Sequence, residues 1–193
     1  MTNDELLDKL TDNLDDILPR LSWPVERYRQ TIDGLTSCNV ATDLAYRRNF
    51  IRFYRMRLPR AKAYDDYFDI LERFKGQRNI SMAEVLAAVL EELQIKTGRI
   101  ETSFASKLLA TLNPDLPIID SIVLGNMGLR LPAHNVPNRK EKVIEIYLEL
   151  TTRLNEMIQD ERFNVLKRRF TSAYPDYSFT DLKILDLMIW QLR

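Results

Sequence analysis

A carboxylate behind a rigid elbow is the first group in this sequence that invites chemistry. The stretch SFASKLLATLNPDLPIIDSIVLGNMGL, Ser103 to Leu129, sets Pro114, Pro117, Ile118 and Ile119 ahead of Asp120, and an apolar helical run follows at once. A carboxylate there has two readings. As an N-cap it accepts a backbone amide bond, and its charge suits the helix dipole. As a catalytic group it stabilises a developing positive charge or positions a water. Spacing alone leaves both open.

The second feature is the run YRRNFIRFYRMRLPRAK, Tyr46 to Lys62. It holds Arg47, Arg48, Arg52, Arg55, Arg57, Arg60 and Lys62 and no acid. On a helix, Phe50, Phe53, Tyr54 and Arg57 share one face, while Arg48, Arg52 and Arg55 share another. Guanidinium groups bind phosphates bidentately, and a stripe of them follows a nucleic-acid backbone. The alternative is a solvated face paired with acids such as Asp12, Asp15, Asp16, Asp65 and Asp66, with the aromatic residues in the core. A third arrangement packs the acidic N-terminal helix against this basic one. The smaller cluster Lys167-Arg168-Arg169 adds little.

Other chemistries are narrowed by composition. One cysteine, Cys38, and one histidine, His134, exclude a zinc ribbon, a four-cysteine iron–sulfur cluster and a histidine-rich metal site. His134 lies in a loop between prolines with no partner in sequence. Gly76 and Gly98 are isolated, so no glycine-rich phosphate loop is present. Asp65-Asp66 and Glu91-Glu92 read as exposed helix charges. No metal and no cofactor is expected.

These groups need a scaffold, and the bulk composition supplies its class. The chain has 193 residues, 45% hydrophobic and 29% charged, which fits a single globular domain, 1–193, with room for two lobes. Formal net charge is zero, so a nucleic-acid contact must rest on local clusters. The N-terminus MTNDELLDKLTDNLDD is acidic with no apolar signal core. No run approaches the ~20 apolar residues of a membrane span. With its lone thiol, the chain is expected to be cytoplasmic, with no membrane partner.

Five glycines in the whole chain favour helices over sheets. Periodicity places helices at 3–18, ended by Pro19; from Ser22 to about Gly34; at 41–57, closed by Pro59; at 62–75; and from a Ser81–Glu84 capping box to about Ile95. Further helices fall at 103–112, 120–127, 139–159, 161–173 and 180–192, with 130–138 as the longest loop. The fold class is all-α, an irregular globule of about nine to ten helices. Trp23 and Trp190 read as core anchors, and ILDLMIWQL is apolar enough for the centre of the monomer or a dimer contact.

Over roughly residues 81–129 the sequence resembles the helix-hairpin-helix DNA glycosylase superfamily. PIIDSIVLGNMGL is similar to that family's apolar-Asp element, and Ser103-Phe104-Ala105 is similar to the Ser-x-Ala start of its adenine-mismatch branch. The hairpin turn reads Thr97-Gly98-Arg99-Ile100-Glu101, with one glycine. The resemblance implies an all-helical, two-lobed fold and a DNA partner. It also implies a monofunctional base-excision N-glycosylase, with Asp120 and Ser103 as its catalytic residues and no Schiff-base lysine. Arg47, Arg48, Arg52, Arg55, Arg57 and Lys107 would then contact the nucleic acid. The competing class is a non-catalytic helical module that binds a protein partner, with Asp120 as a cap and the arginines solvated.

Overall fold

The computed structural model describes residues 1–58, 61–76 and 82–192. Among them are eleven α-helices and no strand, so the chain is all-α. They are α1 Asn3–Asp12, α2 Leu14–Arg20, α3 Ser22–Ser37, α4 Leu44–Phe53, α5 Ala61–Phe74, α6 Met82–Thr97, α7 Thr102–Leu112, α8 Ser121–Met127, α9 Arg139–Ile158, α10 Glu161–Ala173 and α11 Asp181–Gln191. No helix among the described residues is long and apolar enough to cross a membrane. The expected Ser81 cap and the Pro59 stop lie outside the described residues.

The count exceeds the expected nine to ten because the first helix breaks at Asn13. Its side-chain amide donates to the Lys9 carbonyl at 2.8 Å, while its own carbonyl accepts from Asp16 and Ile17. One residue thus closes α1 and opens α2. Pro19 lies inside α2 rather than ending it. Its missing N–H removes a single helical bond in a helix that stops one residue later. Gly34 does not end α3 either, because the helix runs on to Ser37. A Cβ at Gly34 would meet the Tyr46 ring at 2.6 Å, so this glycine permits close packing.

By contacts the chain forms two compact units, Met1–Val25 with Pro114–Arg193, and Glu26–Asn113. The chain enters the second within α3 and leaves it after α7.

In the first unit α11 packs against α2, α8, α9 and α10. It is buried on nearly every side, as a helix apolar all round should be. Leu6, Leu10, Tyr147, Phe163, Phe170, Leu185 and Met188 are among the buried side chains of this unit. Each such side chain contributes about 1.5–3 kcal/mol of transfer free energy. Arg162 of α10 reaches Asp4 and Asp8 of α1, and Arg169 reaches Asp15 of α2. These acids of the N-terminal segment therefore pair with α10. Trp23 is 37% exposed and Trp190 half-buried, so leucines and phenylalanines fill the core instead of the tryptophans.

The second unit is built on aromatic rings. Phe50 of α4 lies 5.3–5.7 Å from the rings of Tyr67 and Phe68 of α5, and Tyr67 lies 6.5 Å from Phe104 of α7. Such tilted and edge-on pairs add about 0.5–1.5 kcal/mol each beyond burial. Asp43 caps α4 by accepting the Tyr46 amide at 2.8 Å. The helix is shorter than the expected 41–57. At its C-terminus the Met56 amide reaches back to the Ile51 carbonyl, and Arg55 takes φ 48° where glycine is usual.

Candidate functional site

Asp120 stands where the sequence put it, as the N-cap of α8. Its backbone is extended, and its Oδ1 accepts the Ile122 amide at 2.9 Å. The side chain is half-buried behind Ile118 and Ile119, which are buried. Two straps hold the elbow that precedes it. The Thr180 hydroxyl donates to the Pro114 carbonyl at 2.9 Å, and the Tyr147 hydroxyl donates to the Pro117 carbonyl at 3.2 Å. At the far end of α8, Asn126 donates to the carbonyls of Ile189 and Leu192. The α8 segment is thereby fixed to both ends of α11. Gly128 closes α8 at φ 70°, a conformation that costs a side-chain-bearing residue about 1–2 kcal/mol.

Sequence reasoning missed the most unusual group of this unit. Lys183 and Asp186, one turn apart on α11, are 2% and 4% exposed and paired at 2.9 Å. Asp186 Oδ1 is buried with no hydrogen-bond partner. Burial pushes the Asp186 carboxyl above its ordinary range, Lys183 pulls it back, and the charge of Asp120 pushes it up again. Burial likewise raises the Tyr147 phenol, and the charge of Asp186 adds to that. A Lys–Asp spacing of three reads on paper as a solvated pair. The usable signal was the helix itself, apolar on both flanks of the pair.

The other candidate residues belong to the second unit. Ser103 is the second residue of α7 and is half-buried. Ser103 and Asp120 therefore fall in different units. The turn before α7 holds Gly98 at φ 75°, with Thr97 Oγ1 accepting the Arg99 amide. Glu101 occupies the N-cap of α7 with no side-chain cap bond. Lys107 is 7% exposed, its ammonium 5.4 Å from the Phe104 ring centroid, so it is not part of an exposed basic surface.

The arginines divide. Arg47 is engaged: it pairs with Asp65, donates to the Ala41 carbonyl at 3.2 Å and lies 5.0 Å from the Phe68 ring centroid. Arg48, Arg52, Arg55 and Arg57 are exposed, and Arg48 Nε donates to the Leu44 carbonyl. The helical stripe is interrupted, since Arg55 and Arg57 follow the end of α4. Tyr46, Phe50, Phe53 and Tyr54, interleaved with them in sequence, are buried and form the core of this unit.

Among the described residues no three His, Cys, Asp or Glu side chains converge as a metal site. His134 is exposed in its loop. Comparison with protein-family models, curated proteins and solved structures finds no match to this chain.

Proposed function

We propose that this protein binds duplex DNA and hydrolyses an N-glycosidic bond, with Asp120 as the working carboxylate. The observation that supports the reading best is the fixed position of that group. Its Oδ1 is tied to the Ile122 amide, and the elbow before it is strapped at Pro114 and Pro117. Cleavage of an N-glycosidic bond builds positive charge on the sugar as the base leaves with the bonding pair. A preorganised carboxylate stabilises that charge and orients the water that adds to the anomeric carbon. The base must first leave the stack, which the enzyme drives by gripping the backbone. Exposed Arg48, Arg52, Arg55 and Arg57 are suited to that grip. No Schiff-base lysine takes part in this scheme.

A second reading, a non-catalytic module for a protein partner, is favoured by Ile95 at 79% and Leu44 at 65% exposure. Binding to duplex DNA, including an abasic-site analogue, across a salt series separates the two. The DNA reading expects affinity that falls steeply with salt and prefers the abasic analogue. Asp120→Asn then abolishes base release with little loss of stability, because asparagine caps a helix about as well as aspartate. Absence of binding at low salt leaves the interaction module.

A further inference from the structure

Thr180 serves two stretches of backbone with one hydroxyl. Its oxygen accepts the Lys183 amide at 3.3 Å and so caps α11, while its proton goes to the Pro114 carbonyl at 2.9 Å. The cap alone does not call for threonine, because aspartate and asparagine cap a helix about as well. A hydroxyl accepts and donates at once, whereas a carboxylate only accepts. The shorter of the two bonds is the one to the elbow.

The elbow is built to pass such a hold along. The rings of Pro114 and Pro117 fix φ at about −65°, and each proline also restricts the residue before it. Ile118 and Ile119 are buried, and Tyr147 holds the Pro117 carbonyl at 3.2 Å. Asp120 follows, with its Oδ1 on the Ile122 amide. Thr180 thus holds the entry of this stiff segment and Tyr147 its middle. Asn126 ties the far end of α8 to the carbonyls of Ile189 and Leu192, so α11 holds the elbow and α8 at both ends.

We infer that Thr180 is a positioning residue for Asp120: its hydroxyl fixes the elbow on the start of α11 and so sets where the carboxylate stands. This role rests on the preceding reading in taking Asp120 as the working group. Thr180 acts through the backbone, since its proton is committed to Pro114 and its oxygen to the Lys183 amide.

Three variants separate the cap from the strap. Thr180→Ser keeps both bonds. Thr180→Asp keeps the cap but has no proton for the Pro114 carbonyl. Thr180→Val keeps the volume and loses both. The first readout is hydrogen exchange at the Ile122 amide, which Asp120 holds, against the Arg162 amide, which Asp160 holds in the same way in the same unit. In the Asp and Val variants Ile122 exchanges about 10-fold faster while Arg162 is unmoved, because the opening is local. Thr180→Ser exchanges as the wild-type protein does. The second readout is base release from a panel of duplexes, each with one mismatched, oxidised, alkylated or deaminated base. It falls about 10- to 100-fold in the Asp and Val variants at unchanged duplex affinity, and stays at the wild-type level in Thr180→Ser. Ile122 exchange that does not rise, or rises only together with Arg162, overturns the inference. So does base release at the wild-type rate in Thr180→Asp, or base release as slow in Thr180→Ser as in Thr180→Asp. If Thr180→Asp does not fold, Ser against Val decides on the same readouts; if neither Asp nor Val folds, Thr180 is a residue of the fold alone and the inference is overturned. If the wild-type protein releases no base from any duplex, the glycosylase reading fails by itself and the exchange decides: a rise confined to Ile122 keeps Thr180 as the residue that fixes the carboxylate, and no rise removes it.

Discussion

Tyr147 donates its hydroxyl to the Pro117 carbonyl at 3.2 Å, so a buried side chain of α9 holds the backbone three residues before Asp120. Both residues are buried, and water does not replace a lost donor there. Tyr147→Phe keeps the ring and removes the bond. Stability falls by about 1–2 kcal/mol, read as a lower urea midpoint at unchanged slope. On the proposed reading, base release falls further than this loss of folded protein explains, because the elbow gains freedom.

Gly34→Ala gives a sign opposite to the usual one. In a helix interior alanine is favoured over glycine by about 1 kcal/mol. Here the new Cβ would lie 2.6 Å from Tyr46 Cδ2 and 3.1 Å from Cε2. The ring cannot retreat easily, because it packs against Phe50 and Phe68 at 5.9 and 6.3 Å. The expected outcome is destabilisation by about 1–3 kcal/mol in chemical unfolding. A gain would mean that Tyr46 has room to move.

What was legible in the sequence was local. Apolar periodicity gave the all-α class, and Asp120 was readable as a cap because a cap needs only its own helix start. What escaped was set by tertiary neighbours. Gly34 looked like a stop, yet its constraint comes from Tyr46, twelve positions on in sequence. The end of α4 was hidden because Arg55, not glycine or asparagine, takes the left-handed position. The interleaved rings and arginines of α4 were compatible with a nucleic-acid-binding face, and the rings are core because α5 supplies partners for them. Lys183 and Asp186 were overlooked for a similar reason. Charge at a spacing of three implies solvent unless the whole helix is known to be enclosed.

Asp160 is held ionised by Arg162 and contributes to the acid limb of stability. Its Oδ1 accepts the Arg162 amide at 2.8 Å, its Oδ2 pairs with the Arg162 guanidinium at 2.7 Å, and Arg162 also reaches Asp4 and Asp8 of α1. Side-chain hydrogen bonds from Arg162, then its amide, lower the Asp160 carboxyl to about 2. A carboxylate depressed in the folded state contributes stability that is fully present above its unfolded value near 4. That contribution is lost as pH falls through about 2. Asp160→Asn retains the cap but removes the charge. Its unfolding midpoint should therefore change less between pH 4 and pH 2 than that of the wild-type protein, measured by thermal unfolding at matched ionic strength.

Arg55→Gly separates the fold's interest from the proposed function. Arg55 occupies the left-handed position after α4, at φ 48°, with the Met56 amide bonded to the Ile51 carbonyl at 3.0 Å. Glycine relieves the Cβ crowding of that conformation, worth about 1–2 kcal/mol, and returns part of it through the greater freedom of its unfolded chain. A net stabilisation of about 0.5–1 kcal/mol is expected in urea unfolding. The same change removes one exposed guanidinium from the group formed with Arg48, Arg52 and Arg57. If that group grips phosphates, the variant binds duplex DNA more weakly across all sequences, and the slope of log affinity against log salt falls by about one unit. A variant that is more stable yet binds less well assigns Arg55 to nucleic acid. A more stable variant with unchanged affinity and slope assigns it to a helix end alone, and shifts the search for the DNA surface away from α4.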